Sequence, residues 1–177
     1  MEEVDGQMQG ACIPFYETPK LKNGNNRLAF GPNGSLWIGK TKHAFWAGSS
    51  GLQRLKWKGI TPMAVRDVHL TGKGFSLTFT RPVDPAIATN ASLYKVHSYF
   101  YNYHEKYGSD KKDLTQVPVT NIKLSSDQKT VNVELNLKAW MLYDFTLPEI
   151  VSKDGHKLLN RRVIYTLNRL LKNTPAP

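Results

Sequence analysis

Three tyrosines stand at alternate positions, Tyr99, Tyr101 and Tyr103, in the most aromatic stretch of the chain, which also holds Tyr94, Phe100 and Tyr107. In an extended strand, alternate residues share one face. A row of rings on such a face can stack against the apolar side of a pyranose, while nearby polar groups meet its hydroxyls. The plainer reading is an aromatic cross-strand cluster packed inside the fold or against a neighbouring sheet. Trp46, beside Phe45 in a segment rich in Gly and Ser, is a fourth ring that either lines a ligand site or plugs a loop onto its domain. Tyr99, Tyr101, Tyr103 and Trp46 are therefore the candidate ligand-binding residues.

Other chemistries find less support. The histidines His43, His69, His97, His104 and His156 show neither H-E-x-x-H nor another close ligand spacing; His97 and His104 are seven apart. Cys12 is the sole cysteine. Alone it makes no internal disulfide, no thiolate zinc cluster and no C-x-x-C-H haem attachment. It sits in the apolar run 10–15 and is expected to be a buried structural thiol. Asp110, Asp113, Asp127 and Asp154 lie in turn-like contexts, where a carboxylate caps its own backbone. No nucleophile elbow, phosphate loop or dinucleotide fingerprint occurs. No catalytic or metal-binding residue is assigned, and the chain by itself is expected to be non-catalytic.

The chain has 177 residues and a formal net charge of +10, from 24 Lys and Arg against 14 Asp and Glu. The basic residues form only pairs, Lys111-Lys112 and Arg161-Arg162, and not the long stripe expected of a nucleic-acid binder. A solvated basic surface is expected, with no nucleic-acid partner. No apolar run approaches the roughly 18 residues of a membrane span. The opening stretch 1–6 is acidic, where a secretory signal is basic and then apolar.

Positioning these residues falls to strands. Pro32-Asn33-Gly34-Ser35 separates strand-like 27–30 from 36–39, and Asn-Gly supplies the positive φ of a tight hairpin. A third strand is expected at 52–57, with 40–51 a loop, and Pro62 marks a joint. Beyond it, alternation predicts about seven strands near 65–70, 75–80, 94–103, 117–124, 130–135, 142–147 and 163–167. A short helix is expected over 84–92, opened by Asp84-Pro85. The class is all-β, with a first unit over 1–60, a sandwich over 61–172 and a disordered tail at 173–177.

Two patterns resemble known families. Asn26-Arg27-Leu28-Ala29-Phe30-Gly31-Pro32-Asn33-Gly34-Ser35-Leu36-Trp37-Ile38-Gly39 is similar to the repeated hairpin of six-bladed β-propellers, including the sugar dehydrogenases that use pyrroloquinoline quinone (PQQ). There Asn33 and Gly34 form the turn, and Gly39 lets the chain leave the blade beside its neighbour. The stretches 9–15, 26–27 and 51–57, with the run 74–84 that follows, resemble the end of the propeller in a planctomycete-type membrane-bound dehydrogenase-like group. Tyr165-Thr166-Leu167-Asn168 matches the same group. The second pattern, 124–131 and 152–158 with Leu137 six residues before Tyr143, resembles bacterial immunoglobulin-like (fibronectin III-like) domains with a tyrosine corner.

The resemblance implies a partial blade followed by an immunoglobulin-like sandwich, cut from an exported protein that is periplasmic or extracellular. The absence of an export signal fits an internal piece. The partners implied are the remaining propeller blades. PQQ and calcium are implied for the parent, with their ligands on blades outside this chain. The function implied is a non-catalytic structural or accessory module. The alternative is a stand-alone module that binds carbohydrate or protein through the tyrosine row.

Overall fold

The computed structural model describes residues 1–42 and 48–172. His43, Phe45 and Trp46, and the tail expected at 173–177, lie outside the described residues. The strands are β1 (Glu2–Val4), β2 (Gln7–Cys12), β3 (Asn25–Phe30), β4 (Leu36–Lys40), β5 (Gly51–Leu55), β6 (Val65–Thr71), β7 (Gly74–Phe79), β8 (Lys95–Phe100), β9 (Lys112–Gln116), β10 (Val119–Leu124), β11 (Thr130–Leu135), β12 (Met141–Thr146) and β13 (Arg162–Leu167). One short helix, α1 (Pro85–Ala88), joins β7 to β8. The fold is all-β, in three antiparallel sheets, none closed.

The chain divides into two compact units: Met1–Phe15 together with the chain from Pro62 onward, and Tyr16–Thr61. The sequence reading places residues 1–15 in one unit with 16–60. They pair instead with the last strand: β2 runs antiparallel to β13, with Ala11 opposite Tyr165. Asp5 and Gly6 take φ values of 50° and 74°, the positive pair that a two-residue hairpin requires, and so fold β1 back on β2.

The first unit has a six-stranded sheet, β1-β2-β13-β12-β8-β9, and a four-stranded sheet, β10-β11-β7-β6. Alternation explains why they face each other. Phe75, Leu77 and Phe79 of β7 and Val131, Val133 and Leu135 of β11 are buried, as are Tyr143 and Phe145 of β12 and Val163, Tyr165 and Leu167 of β13. These residues form one cluster that also takes in Val4. The Phe75 ring lies 4.8 Å from that of Tyr165 and 5.4 Å from those of Tyr143 and Phe145, in tilted or edge-on contacts that suit aromatic quadrupoles. Two sheets over one core make a sandwich-like arrangement.

Three polar devices hold its margins. Glu2 Oε1, on the edge strand β1, accepts from the backbone N–H of Leu70 on β6, at 2.8 Å, and from the buried hydroxyl of Tyr165 on the interior strand β13, so one carboxylate links the two sheets. Buried Gln9 accepts from the backbone N–H groups of Asn168 and Arg169 and donates to the Arg169 carbonyl. Tyr143 Oη accepts from the Lys138 N–H at 2.6 Å, and Leu137 is buried beside it in the same core.

The helix ends sooner than the expected 84–92. Asp84 caps it by accepting from Ala86 N–H, but Asn90 then accepts from Ser92 N–H and starts a separate 3₁₀ turn, Ala91–Leu93. A side chain that satisfies the backbone locally competes with helix continuation.

The second unit is the sheet β3-β4-β5. Its first hairpin closes as the turn chemistry predicts: Gly34 has φ 72°, Gly34 N–H donates to the Gly31 carbonyl, and Asn33 Oδ1 accepts from Ser35 N–H. Gly39 is an interior position of β4, opposite Arg27 and Leu52. A Cβ there would meet that of Arg27 at 3.5 Å, an ordinary contact. Register places Leu28, Phe30, Leu36, Ile38, Gln53 and Leu55 on one face and Arg27, Trp37, Leu52 and Arg54 on the other. On the apolar face, Leu28 and Phe30 are 65% and 78% exposed.

Candidate functional site

The tyrosine segment does not form the expected platform. β8 stops at Phe100, where its pairing with β9 slips between Ser98 and Phe100, so Tyr101 and Tyr103 lie past the strand that carries Tyr99. Tyr99 is buried at 1% exposure; Tyr101 is half exposed and Tyr103 and Tyr107 are fully exposed on the loop before β9. Its base is tied where Asn102 N–H donates to Ser109 Oγ.

Tyr99 is buried without belonging to the core. It pairs with Leu142 on β12, and His97 pairs with Asp144, on the face opposite Tyr143 and Phe145. Tyr101 covers it with a ring 5.4 Å away at 73°, and Lys111 Nζ stands 4.1 Å from its centroid. Burial, then the hydrogen bond to Tyr101, pushes the Tyr99 hydroxyl up to about 12.

An ion pair network adjoins these rings. Asp144 Oδ1 accepts from Arg162 Nε at 3.0 Å and Oδ2 from Arg162 Nη2 at 2.8 Å, a bidentate fork. Lys111 Nζ reaches Oδ2 at 3.4 Å. Arg162 and then Lys111 hold the Asp144 carboxyl below the usual carboxylate range, and Asp144 in turn raises Arg162. Asp144 and Arg162 are diagonal neighbours, since Asp144 opposes Ile164 and Thr146 opposes Arg162. The sequence marks Lys111 and Arg162 only as members of basic pairs and does not mark Asp144, because their meeting depends on register.

Cys12 is exposed, contrary to the expected buried thiol. It opposes Ile164 near the end of β2, where the buried positions are Gln9 and Gly10. Asp127 does cap its own turn, accepting from Lys129 N–H at 3.0 Å; the Ser125 hydroxyl and then that N–H lower its carboxyl. Asp154 pairs with Arg81 and His156. Among the described residues, no three His, Cys, Asp or Glu side chains come together to hold a metal ion. Among them, too, no helix is long and apolar enough to cross a membrane. Open cavities of about 450 Å³ in the Tyr16–Thr61 unit, at 16–25, and about 220 Å³ in the sandwich-like unit, beside Glu149, Leu158 and Arg161, are lined by none of Tyr99, Tyr101, Tyr103 and Tyr107.

The fold is thus an all-β chain with a sandwich-like unit and a separate three-stranded sheet. No protein-family model matches it, and no curated protein does. Among solved structures it is similar to the N-terminal part of the bacterial S-layer protein SbsC, at 19% identity and a TM-score of 0.44, covering 60% of this chain and 24% of that one. Two longer pieces of SbsC, rSbsC(31-844) and domains 1–6, match at 19% and 20% identity and TM-scores of 0.43, each covering 66% of this chain and 14% of the other. The chain therefore spans under a quarter of each of these structures, and likeness of this degree assigns neither domain type nor activity.

Proposed function

We propose that this chain is a non-catalytic structural or accessory module of a longer exported protein, periplasmic or extracellular, of the PQQ-dependent sugar dehydrogenase-like propeller type. In this reading Tyr16–Thr61 is a terminal propeller blade and the unit around it is an immunoglobulin-like (fibronectin III-like) sandwich. The observation that carries it is the exposure of Leu28 and Phe30 on the edge strand β3, beside half-buried Leu36 and buried Ile38 of the same face. A three-stranded sheet with apolar side chains exposed along an edge strand is marginal alone and calls for further cover. The remaining blades are the proposed cover. The Tyr143 hydroxyl on the Lys138 backbone, with buried Leu137 beside it, supports the sandwich type.

PQQ and calcium belong, in this proposal, to blades outside the chain. The donor set among the described residues does not fit them, since it offers no carboxylate cluster for calcium. The chain's own role is to brace.

The test is the reading frame upstream of the Met1 codon. Further blades and an export signal in the same frame are expected. An in-frame stop with a ribosome-binding site just before Met1 overturns the proposal. The exposed rings of Tyr101, Tyr103 and Tyr107 favour a second reading, a stand-alone binding module.

A further inference from the structure

The outer face of the six-stranded sheet is cationic and aromatic at once. Register sets Tyr99 beside Leu142, His97 beside Asp144 and Lys95 beside Thr146, with Arg162 on the far side of Thr146. Lys111 is brought over this face by its contacts with Tyr99 and Asp144. Arg162 and Lys111 thus meet at one carboxylate, that of Asp144, with His97 opposite it and Lys95 in the next row of the same face.

Asp144 leaves these cations capacity for a further anion. A guanidinium has five N–H donors, and the Asp144 fork takes two. The Arg162 side chain is 56% exposed and that of Lys111 38%, whereas the Asp144 side chain is only 12% exposed. The carboxylate is covered while the cations above it stay open to solvent. Tyr101 stands at the rim, half exposed, its ring against that of Tyr99. A cation pair next to an accessible ring suits a ligand that combines an anionic group with an apolar face to stack.

We propose that this face binds an acidic glycan. Uronate carboxylates would sit on Arg162 and Lys111, with a sugar ring stacked on Tyr101. The charge of the whole chain, +10, agrees with an anionic partner. An open sheet face suits an extended polymer over a small enclosed ligand. The proposal deepens the binding-module reading and is independent of the propeller reading, which the reading frame tests.

The experiment titrates the full chain, at near-physiological salt, with a homogalacturonan oligomer, with the same oligomer methyl-esterified, and with single-stranded DNA of equal charge. Free galacturonan is expected to bind, and esterification to abolish binding. Tyr101→Ala, which alters a half-exposed ring, is expected to weaken binding roughly tenfold. Lys95→Gln and Lys111→Gln together should weaken it further while leaving the circular dichroism spectrum unchanged. Equal binding of the esterified oligomer means a neutral-sugar site and overturns the acidic assignment while sparing the binding-module reading. DNA bound as tightly as galacturonan, with no effect of Tyr101→Ala, means unspecific charge attraction and overturns the glycan site. No binding of either oligomer overturns the inference and the carbohydrate form of the binding-module reading alike.

Discussion

Glu2→Ala tests the assignment of the first residues to the sandwich. In the parent, the Glu2 carboxylate accepts from the Leu70 N–H and from the Tyr165 hydroxyl, and Tyr165 is fully buried. Alanine removes both acceptors and leaves two donors without a partner. A buried donor left unpaired costs on the order of 1–3 kcal/mol, and because the Leu70 amide lies nearer solvent, about 2–4 kcal/mol is expected in total. Glu2→Gln keeps an oxygen acceptor and should cost about 1 kcal/mol. Tyr165→Phe removes the buried donor itself, so the Glu2→Ala and Tyr165→Phe losses should fall short of additive, with a coupling of roughly 1–2 kcal/mol. Because the two units can unfold separately, one optical melt would blend them. Hydrogen exchange at the Val131 and Val133 amides of the core strand β11 reads the sandwich alone. If Glu2→Ala leaves that exchange within about 0.5 kcal/mol of the parent, the carboxylate does not join the two sheets, and residues 1–15 belong elsewhere.

Three further outcomes follow from the geometry. Tyr143→Phe leaves the Lys138 N–H without its acceptor and should destabilise the sandwich by about 1–2 kcal/mol, read by the same exchange. Gly74→Ala places a Cβ 2.0 Å from the Val133 carbonyl oxygen at a φ of +153°, and since both neighbours are backbone of paired strands, β7 must separate from β11. Loss of more than about 3 kcal/mol, or no soluble protein, is expected, and a well-folded variant would refute the close approach. Asp144 has its carboxyl lowered by Arg162, so its contribution is complete above the ordinary carboxylate range and fades as pH falls toward the depressed value. The stability gap between the parent and Asp144→Asn should therefore shrink as pH drops through that window; a gap that is flat with pH contradicts the fork.

Local order was legible where neighbours in the chain decide it. The alternation of Phe75, Leu77 and Phe79 and of Val131, Val133 and Leu135 marks buried faces because period two is a property of any strand. Asn33-Gly34 marks its hairpin and Asp84-Pro85 its helix start for equally local reasons. Long-range order was not legible. Asp5-Gly6 signals a hairpin, but nothing near it says that β2 will lie against β13. Tyr99, Tyr101 and Tyr103 alternate as a strand would, yet the slip against β9 ends β8 between the first and second of them. The Asp144–Arg162 fork needs the register of β12 on β13, and the exposure of Cys12 needs that of β13 on β2.

The place of β13, between β2 and β12, also bears on synthesis. A ribosome releases β2 long before β13, and Tyr16–Thr61 and most of the sandwich emerge in between. Until β13 arrives, β2 has only β1 beside it, and β12 offers an open edge. Contacts this distant along the chain form slowly, and open edges invite the wrong partner meanwhile. The sandwich can close only after translation has passed Leu167, so a truncation that removes β13 would leave both halves of the six-stranded sheet unjoined and prone to aggregate.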